Sequence, residues 1–296
     1  MVIQGTIVHA LSGFYYVKPA DTDKIYECRA RGTFRKEGVS PLVGDNVEAE
    51  TDGDKGTVTK IFPRKNFLLR PTVANLDRLF IVSSASSPKP NVFIIDKMTV
   101  FARKSGIEPV IVFTKCELAD VSELCSVYEK CGFPTVKCSA VTGEGIELLE
   151  PLINGKKCAF TGNSGVGKST LINALSPELN LETNEISEKL GRGRHTTRSV
   201  SLYSCSGGFI ADTPGFSSFE QESSPLSVDK EELAELFPEF LPFVTDCRFY
   251  PSCSHVRDKG CAVLQAVKNG VIPFSRHESY VRMYEDVKNK KSWDEK

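Results

Sequence analysis

The sequence predicts a multidomain α/β protein: an N-terminal OB-like β-barrel, a parallel sheet with helices on both faces, and a small helical module at the C-terminal end. Three observations predict it. Up to about residue 68 the chain reads as short alternating strands separated by turn residues. Buried-strand and helix patterns then alternate around Gly162-Asn163-Ser164-Gly165-Val166-Gly167-Lys168-Ser169, a complete G-x-x-x-x-G-K-S. Finally, Cys247, Cys253, His255 and Cys261 fall within fifteen residues. These divisions place domains at residues 1–68, 69–222 and 223–296.

Bulk composition narrows the class. A chain of 296 residues with 40% apolar content can bury several cores. The net charge of −1 excludes a global basic field, so any nucleic acid must be met by local patches. The stretch Met1-Val2-Ile3-Gln4-Gly5 lacks the basic n-region of a signal peptide, and no apolar run reaches the length of a membrane span. The expectation is a cytoplasmic monomer with no membrane partner. Ten cysteines in such a chain read as reduced thiols or metal ligands.

The first region supplies five strand candidates: Gly5–Ala10, Phe14–Val17, Ile25–Ala30, Asn46–Glu50 and Gly56–Phe62. Even spacing and the turn signal Asp52-Gly53-Asp54 suggest a small closed barrel. Tyr15, Tyr16, Arg29, Arg31, Phe34, Arg35 and Lys36 supply the aromatic and basic groups with which such barrels bind RNA. A packing module with ordinary surface charge is the other reading.

The middle region alternates strands (Leu76–Val82, Pro109–Phe113, Pro134–Cys138, Cys158–Phe160) with helical runs at Phe93–Phe101, Val121–Lys130 and Thr170–Leu175. In the strand–loop–helix setting around residue 165 the glycines let successive N–H groups point inward as an anion nest. Gly162 to Thr170 would then hold nucleotide phosphates, with Lys168 on the β- and γ-phosphates and Ser169 on Mg²⁺. Downstream, Phe209-Ile210-Ala211 runs into Asp212-Thr213-Pro214-Gly215. An aspartate at the end of a buried strand suits the second Mg²⁺ anchor, and Gly215 can offer a backbone N–H to the γ-phosphate. Between them lies Gly191-Arg192-Gly193-Arg194-His195-Thr196-Thr197-Arg198, basic and rich in hydroxyls, the make-up of a switch loop that orders on the γ-phosphate and Mg²⁺. Thr196 and Thr197 are its nucleotide-facing candidates, Thr197 also on Mg²⁺.

The base-reading candidates come earlier in the chain. Thr114-Lys115-Cys116-Glu117 ends one strand and Ser139-Ala140 follows another. GTPases place Asn-Lys-x-Asp and Ser-Ala at such strand ends, the carboxylate taking guanine N1–H and N2–H₂. Here both precede the P-loop, so the motifs fit a circularly permuted P-loop GTPase. Thr114 in place of Asn is expected to lose a tether between loops, and Glu117 adds a methylene to the base-reading carboxylate. Phe216 stands where a water-orienting Gln often follows Asp-x-x-Gly. The activating group is therefore supplied by a partner or by His195, whose other readings are an RNA contact or a loop cap.

In the C-terminal region Leu226–Leu236 reads as a helix closed by Phe237-Pro238, and residues 262–290 as amphipathic helix with interspersed basic residues. Cys247, Cys253, His255 and Cys261 form a complete tetrahedral set for one structural Zn²⁺, in a loop too short and polar for a core of its own.

In motif order, flanking modules and the run Phe237-Pro238-Glu239-Phe240, the chain resembles the ribosome small subunit-dependent GTPase A family over nearly its whole length. The resemblance implies a GTPase, cycling between GTP and GDP, whose slow hydrolysis is stimulated by the small ribosomal subunit. It implies a role in late maturation of that subunit through rRNA binding, and it points to the same histidine, His195, and the same four zinc positions. Two rivals are a non-catalytic, nucleotide-sensing RNA-binding adaptor, favoured by Phe216 and the altered base motif, and an ATPase acting on nucleic acid, against which Glu117 argues.

Overall fold

The computed structural model describes residues 1–36, 38–69, 71–179, 200–212 and 228–288. The barrel comprises β1 (Val2–Leu11), β2 (Phe14–Pro19), β3 (Tyr26–Ala30), the short helix α1 (Gly32–Lys36), β4 (Asn46–Asp52) and β5 (Lys55–Ile61). Its strands pair in the order β1-β2-β3-β5-β4, and β4 returns to β1 with Val2 opposite Glu50, which closes the barrel. Strands β3 and β5 run parallel and the other pairings are antiparallel. Alternation decides what is inside: Ile7, Val17, Cys28, Val47, Ala49 and Val58 are fully buried. Phe34, expected as an exposed aromatic, is instead buried with this core. Tyr15 and Tyr16 are half-buried, while Arg29 is exposed and lies over the Phe14 ring.

A small hairpin, β6 (Phe67–Leu69) and β7 (Thr72–Ala74), follows. The second region then unfolds as β8 (Arg78–Ser84), α2 (Val92–Lys104), β9 (Glu108–Thr114), α3 (Ser122–Lys130), β10 (Thr135–Lys137), α4 (Glu150–Ile153), β11 (Lys157–Thr161), α5 (Lys168–Leu175), β12 (Ser201–Cys205) and β13 (Gly208–Asp212). The sheet order is β10-β9-β8-β11-β13-β12, with only β12 antiparallel to its neighbour. The P-loop strand β11 is therefore central, although three strands of its sheet precede it in the chain.

Neighbouring residues of each central strand point to opposite faces and enter different cores. Leu79, Ile81, Ile111, Phe113 and Ala159 face α2 and α3. Phe80, Val82, Val110, Val112, Cys158 and Phe160 face α4 and α5, with Phe80 and Phe160 stacked at 4.6 Å. This is why the strands read as unbroken apolar runs. The barrel and this sheet are one hydrogen-bonded surface: His9 of β1 pairs with Ser201 of β12, and His9 Nδ1 lies 2.8 Å from Ser201 Oγ. Neither β12 nor the β6–β7 hairpin was expected from the sequence pattern.

The C-terminal module contains α6 (Leu241–Val244), α7 (Ala262–Lys268) and α8 (Phe274–Val287). Two expectations are corrected here. Within Leu226–Leu236, the described residues form one 3₁₀ turn, Leu233–Leu236, in place of a long helix. Residues 226–227 lie outside the described residues. The amphipathic run 262–290 is two helices: Gly270 takes a positive φ of 72° and Pro273 stands at the start of α8, so the chain turns between them. The module's core draws in Phe93 and Val100 from α2.

Candidate nucleotide site and metal centre

Strands β8, β9, β10 and β11 end at one edge, and their parallel register brings the P-loop and both base-site segments together. The loop backbone needs its glycines. Gly162 has φ 146°, and a Cβ there would lie 2.1 Å from the Val82 carbonyl oxygen. Gly165 and Gly167 have φ of 78° and 96°, and Gly167 caps α5. Positive φ at these glycines gives the curled backbone on which an anion nest at a helix N-terminus depends. Ser164 and Gly165 are exposed, Asn163, Lys168 and Ser169 half-buried, Thr170 exposed, and Val166 anchors the loop in the core beneath α5. Lys168 Nζ donates to the carbonyls of Gly162 and Asn163, the latter at 3.1 Å. The ammonium thus already sits inside the curl.

Thr114 and Lys115 both reach this loop. The Thr114 hydroxyl donates to the Val166 carbonyl and lies 3.4 Å from the Ser83 carbonyl. The expected loss of a tether at this position is therefore corrected: a hydroxyl does what a carboxamide was expected to do. Lys115, at φ 57°, donates from Nζ to Ser87 O at 2.6 Å and Gly165 O at 2.7 Å. Glu117 is exposed at the same edge. Ser139 is buried at the end of β10, where its hydroxyl accepts from Thr142 N–H at 3.1 Å and shapes the turn that presents Ala140. Cys116 N–H donates to Cys138 O at 3.3 Å, which holds the two base-site segments side by side. Burial raises the Cys116 thiol and pushes Cys138 up to about 12, so both remain protonated spacers.

Asp212 closes β13, two strands from β8, with its backbone opposite Ser201. His195, Thr196, Thr197, Gly215 and Phe216 lie outside the described residues.

The second site is compact and local. The ligand atoms of Cys247, Cys253, His255 and Cys261 all lie within 4.8 Å of one another, and all four residues are buried. Cys247 Sγ is 3.7 Å from Cys261 Sγ, and His255 Nδ1 is 3.5 Å from each of these sulfurs. A tetrahedron with metal–sulfur bonds of about 2.3 Å and metal–nitrogen bonds of about 2.0 Å has edges of about 3.8 and 3.5 Å. The donor set fits zinc in both chemistry and spacing. Burial lowers the His255 pKa, which favours the neutral imidazole that ligates metal. Burial likewise raises the Cys253 thiol and pushes Cys261 up to about 12, so a cation is needed to draw off their protons. Four protein donors leave no open position, so a metal here would be structural. His255 adopts φ 56°, and its carbonyl lies 2.8 Å from His277 Nε2.

Sequence reasoning missed the joint between barrel and sheet. Lys157, at the foot of the P-loop strand, is buried and donates to Gly44 O at 3.0 Å and Asn46 Oδ1 at 2.6 Å on the barrel. Burial lowers its pKa to about 8. The one available signal was a lysine opening an otherwise apolar strand.

Comparison with known proteins agrees with this geometry. The family model described as RsgA GTPase matches residues 61–222, and that described as RsgA N-terminal domain matches residues 4–58. A small ribosomal subunit biogenesis GTPase RsgA from Caldanaerobacter subterraneus subsp. tengcongensis is 47% identical over 293 residues, 97% of each chain. The protein of that name from Bacillus subtilis is 40% identical, covering 97% of this chain and 98% of its own. Among solved structures, YloQ, described as a circularly permuted GTPase, aligns with a TM-score of 0.83 at 33% identity over 98% of this chain and 96% of its own. YjeQ from Thermotoga maritima aligns with a TM-score of 0.82 at 35% identity over 98% and 100%.

Proposed function

The chain belongs to the RsgA GTPase family, and on that premise we propose that its GTP hydrolysis is triggered by the small ribosomal subunit and serves late maturation of that subunit. The observation that carries the reading is the convergence, at one sheet edge, of a P-loop with base-site segments that precede it in the chain. On this reading Lys168 exchanges the Gly162 and Asn163 carbonyls for β- and γ-phosphate oxygens. The inward N–H groups of residues 162–170 hold the remaining phosphate charge. Ser169, Thr197 and Asp212 would hold Mg²⁺, which neutralises charge developing on the phosphates. Thr114 and Lys115 clamp the base loop to the P-loop, Glu117 takes the guanine donors, and Ser139-Ala140 closes the base pocket.

Thr196 and Gly215 would contact the γ-phosphate side, and His195 is the internal candidate for orienting water, since Phe216 has no polar group. A site lacking a built-in Gln hydrolyses slowly alone, which suits an external trigger. The flanking barrel (1–68) and metal-stapled module (223–296) are the rRNA-contacting parts around the GTPase domain (69–222), and the protein acts as a cytoplasmic monomer. No helix among the described residues is long and apolar enough to cross a membrane.

The test is steady-state GTP hydrolysis by purified protein with and without small ribosomal subunits, with Lys168→Ala as control. Strong stimulation by small but not large subunits is the expected result. No stimulation with GTP binding intact would overturn the trigger, and no turnover at all would return the adaptor reading.

A further inference from the structure

The run Phe237-Pro238-Glu239-Phe240 has no part in nucleotide chemistry, yet Phe237 and Phe240 are fully buried and Glu239 nearly so. All three surround Arg276 or its neighbours on α8. Arg276 is itself fully buried. Its Nε donates to Glu239 Oε1 at 2.7 Å, and its Nη1 to Asp96 Oδ1 at 2.6 Å and Thr99 Oγ1 at 3.3 Å. Its guanidinium lies 4.7 Å from the Phe237 ring centre and 5.3 Å from that of Phe133. Glu239 and Phe237 belong to the C-terminal module, whereas Asp96, Thr99 and Phe133 belong to the GTPase sheet and its helices. One cation is shared across the joint.

Each side of this joint leads to a site. On the C-terminal side, Phe240 packs on Tyr280 at 4.9 Å and on the His255 ring at 6.3 Å. His277, next to Arg276, contacts the His255 backbone. On the other side, Asp96 sits in α2 between Ile95 and Met98, which line a cleft with Gly162, Asn163 and Val166 of the P-loop. The contacts therefore run from the Cys3His cluster through the Phe-Pro-Glu-Phe run and Arg276 to the helix behind the phosphate loop.

An apolar joint of similar volume would hold the two parts together as well or better, because burying charges costs desolvation. Arg276 Nη2 is buried without a hydrogen bond, and the second oxygens of Asp96 and Glu239 have only the loose neighbours Tyr128, Ser279 and Cys131, which adds to that cost. What a fork of directed charges supplies instead is a single register. We propose that Arg276 is a positioning residue that fixes the C-terminal module in one register on α2 and so couples occupancy of the metal cluster to occupancy of the nucleotide site. This goes beyond the GTPase reading and needs only that nucleotide binds at the P-loop.

Such coupling is reciprocal. The test uses full-length, zinc-loaded protein and reads zinc affinity by equilibrium competition with a chromogenic chelator, with and without GDP and Mg²⁺. The expected result is that GDP tightens zinc binding by about fivefold or more. The neutral triple variant Asp96→Asn/Glu239→Gln/Arg276→Met avoids the unpaired buried carboxylates that Arg276→Met alone would leave. It should bring the GDP effect below about twofold while binding zinc and fluorescent GDP. Arg276→Lys, which keeps the charge but loses the fork, should fall between the two. A merely structural arginine would change both zinc affinities by the same factor and leave their ratio untouched, which overturns the proposal. So does a wild-type ratio near one, whatever the variants do.

Discussion

The phosphate-binding edge and the Cys3His loop are both polar sites on apolar frames, yet they are held by opposite means. The first is assembled from strand ends far apart in sequence: Thr114 meets Val166 across fifty-two positions and Lys115 meets Gly165 across fifty. Its groups are satisfied by backbone carbonyls, with a sheet core on either side. The second spans fifteen consecutive residues, with three sulfurs and an imidazole crowded together and two thiols held protonated by burial. The difference shows which site is preformed. A loop fixed by glycine geometry and packing waits for its ligand, whereas a loop whose own groups are buried in proximity needs its ligand to exist.

The sharpest way to break this contrast is metal removal. Chelation or Cys261→Ser should unfold the C-terminal module while leaving the sheets intact, because a structural zinc contributes on the order of 10 kcal/mol to a loop of this kind. Hydrogen exchange should show α7 and α8 losing protection while β8 to β11 keep theirs. Survival of α7 and α8 would place the loop with the preformed class.

The next effect belongs to Gly162→Ala. The added Cβ meets the Val82 carbonyl oxygen at 2.1 Å from a backbone with φ 146°. We expect a loss of about 3 kcal/mol in denaturation and a collapse of fluorescent GDP binding. A smaller effect follows from Thr114→Val, which keeps shape but removes the donor to Val166 O. Exposing that unmet carbonyl should cost about 1.5 kcal/mol, and Thr114→Asn should restore GDP affinity if tethering is the role of this side chain.

The smallest effect sharpens the barrel joint. Lys157 titrates near pH 8 when folded, against an ordinary value of 10.5. Between those values the unfolded chain holds more protons, so this group makes stability rise with pH. Buried thiols act the other way. Cys28, pushed up to about 11, and Cys138, to about 12, keep protons in the folded state and remove stability as pH rises above their ordinary 9.0. The clean reading is therefore a difference: wild type should gain on Lys157→Met from pH 8 to 10.5 by on the order of 1 kcal/mol in denaturation midpoints.

The fold was legible where one local rule decides. Alternation found all five barrel strands, and buried runs found the parallel strands, because each strand's two faces meet different cores. The phosphate loop and the cysteine cluster were legible because their spacing is their chemistry. The α7–α8 break carried visible signals in Gly270 and Pro273, yet the surrounding apolar period outweighed them. Phe34 was misread because an aromatic near basic residues looks the same whether it faces solvent or a barrel core. Arg276 and Asp96 were illegible for a stronger reason. They are separated by 180 positions, and each looks like an ordinary surface charge on an amphipathic helix until its partner is seen.

The order of strands has a mechanical consequence. In this chain the candidate base-site segments precede the P-loop, and β13, ending at Asp212, is the last described strand of the sheet. Only fifteen residues separate Asp212 from Val228, where the C-terminal core begins. Ser201 of β12, opposite Asp212, is stitched to the barrel through His9. Had the chain kept the commoner order, its outgoing end would follow the base pocket, which reads identity and not charge state. Here the last described strand of the sheet, β13, ends at Asp212 opposite the residue that joins β12 to the barrel, so the barrel seam and the Asp212 edge share one end of a single ladder.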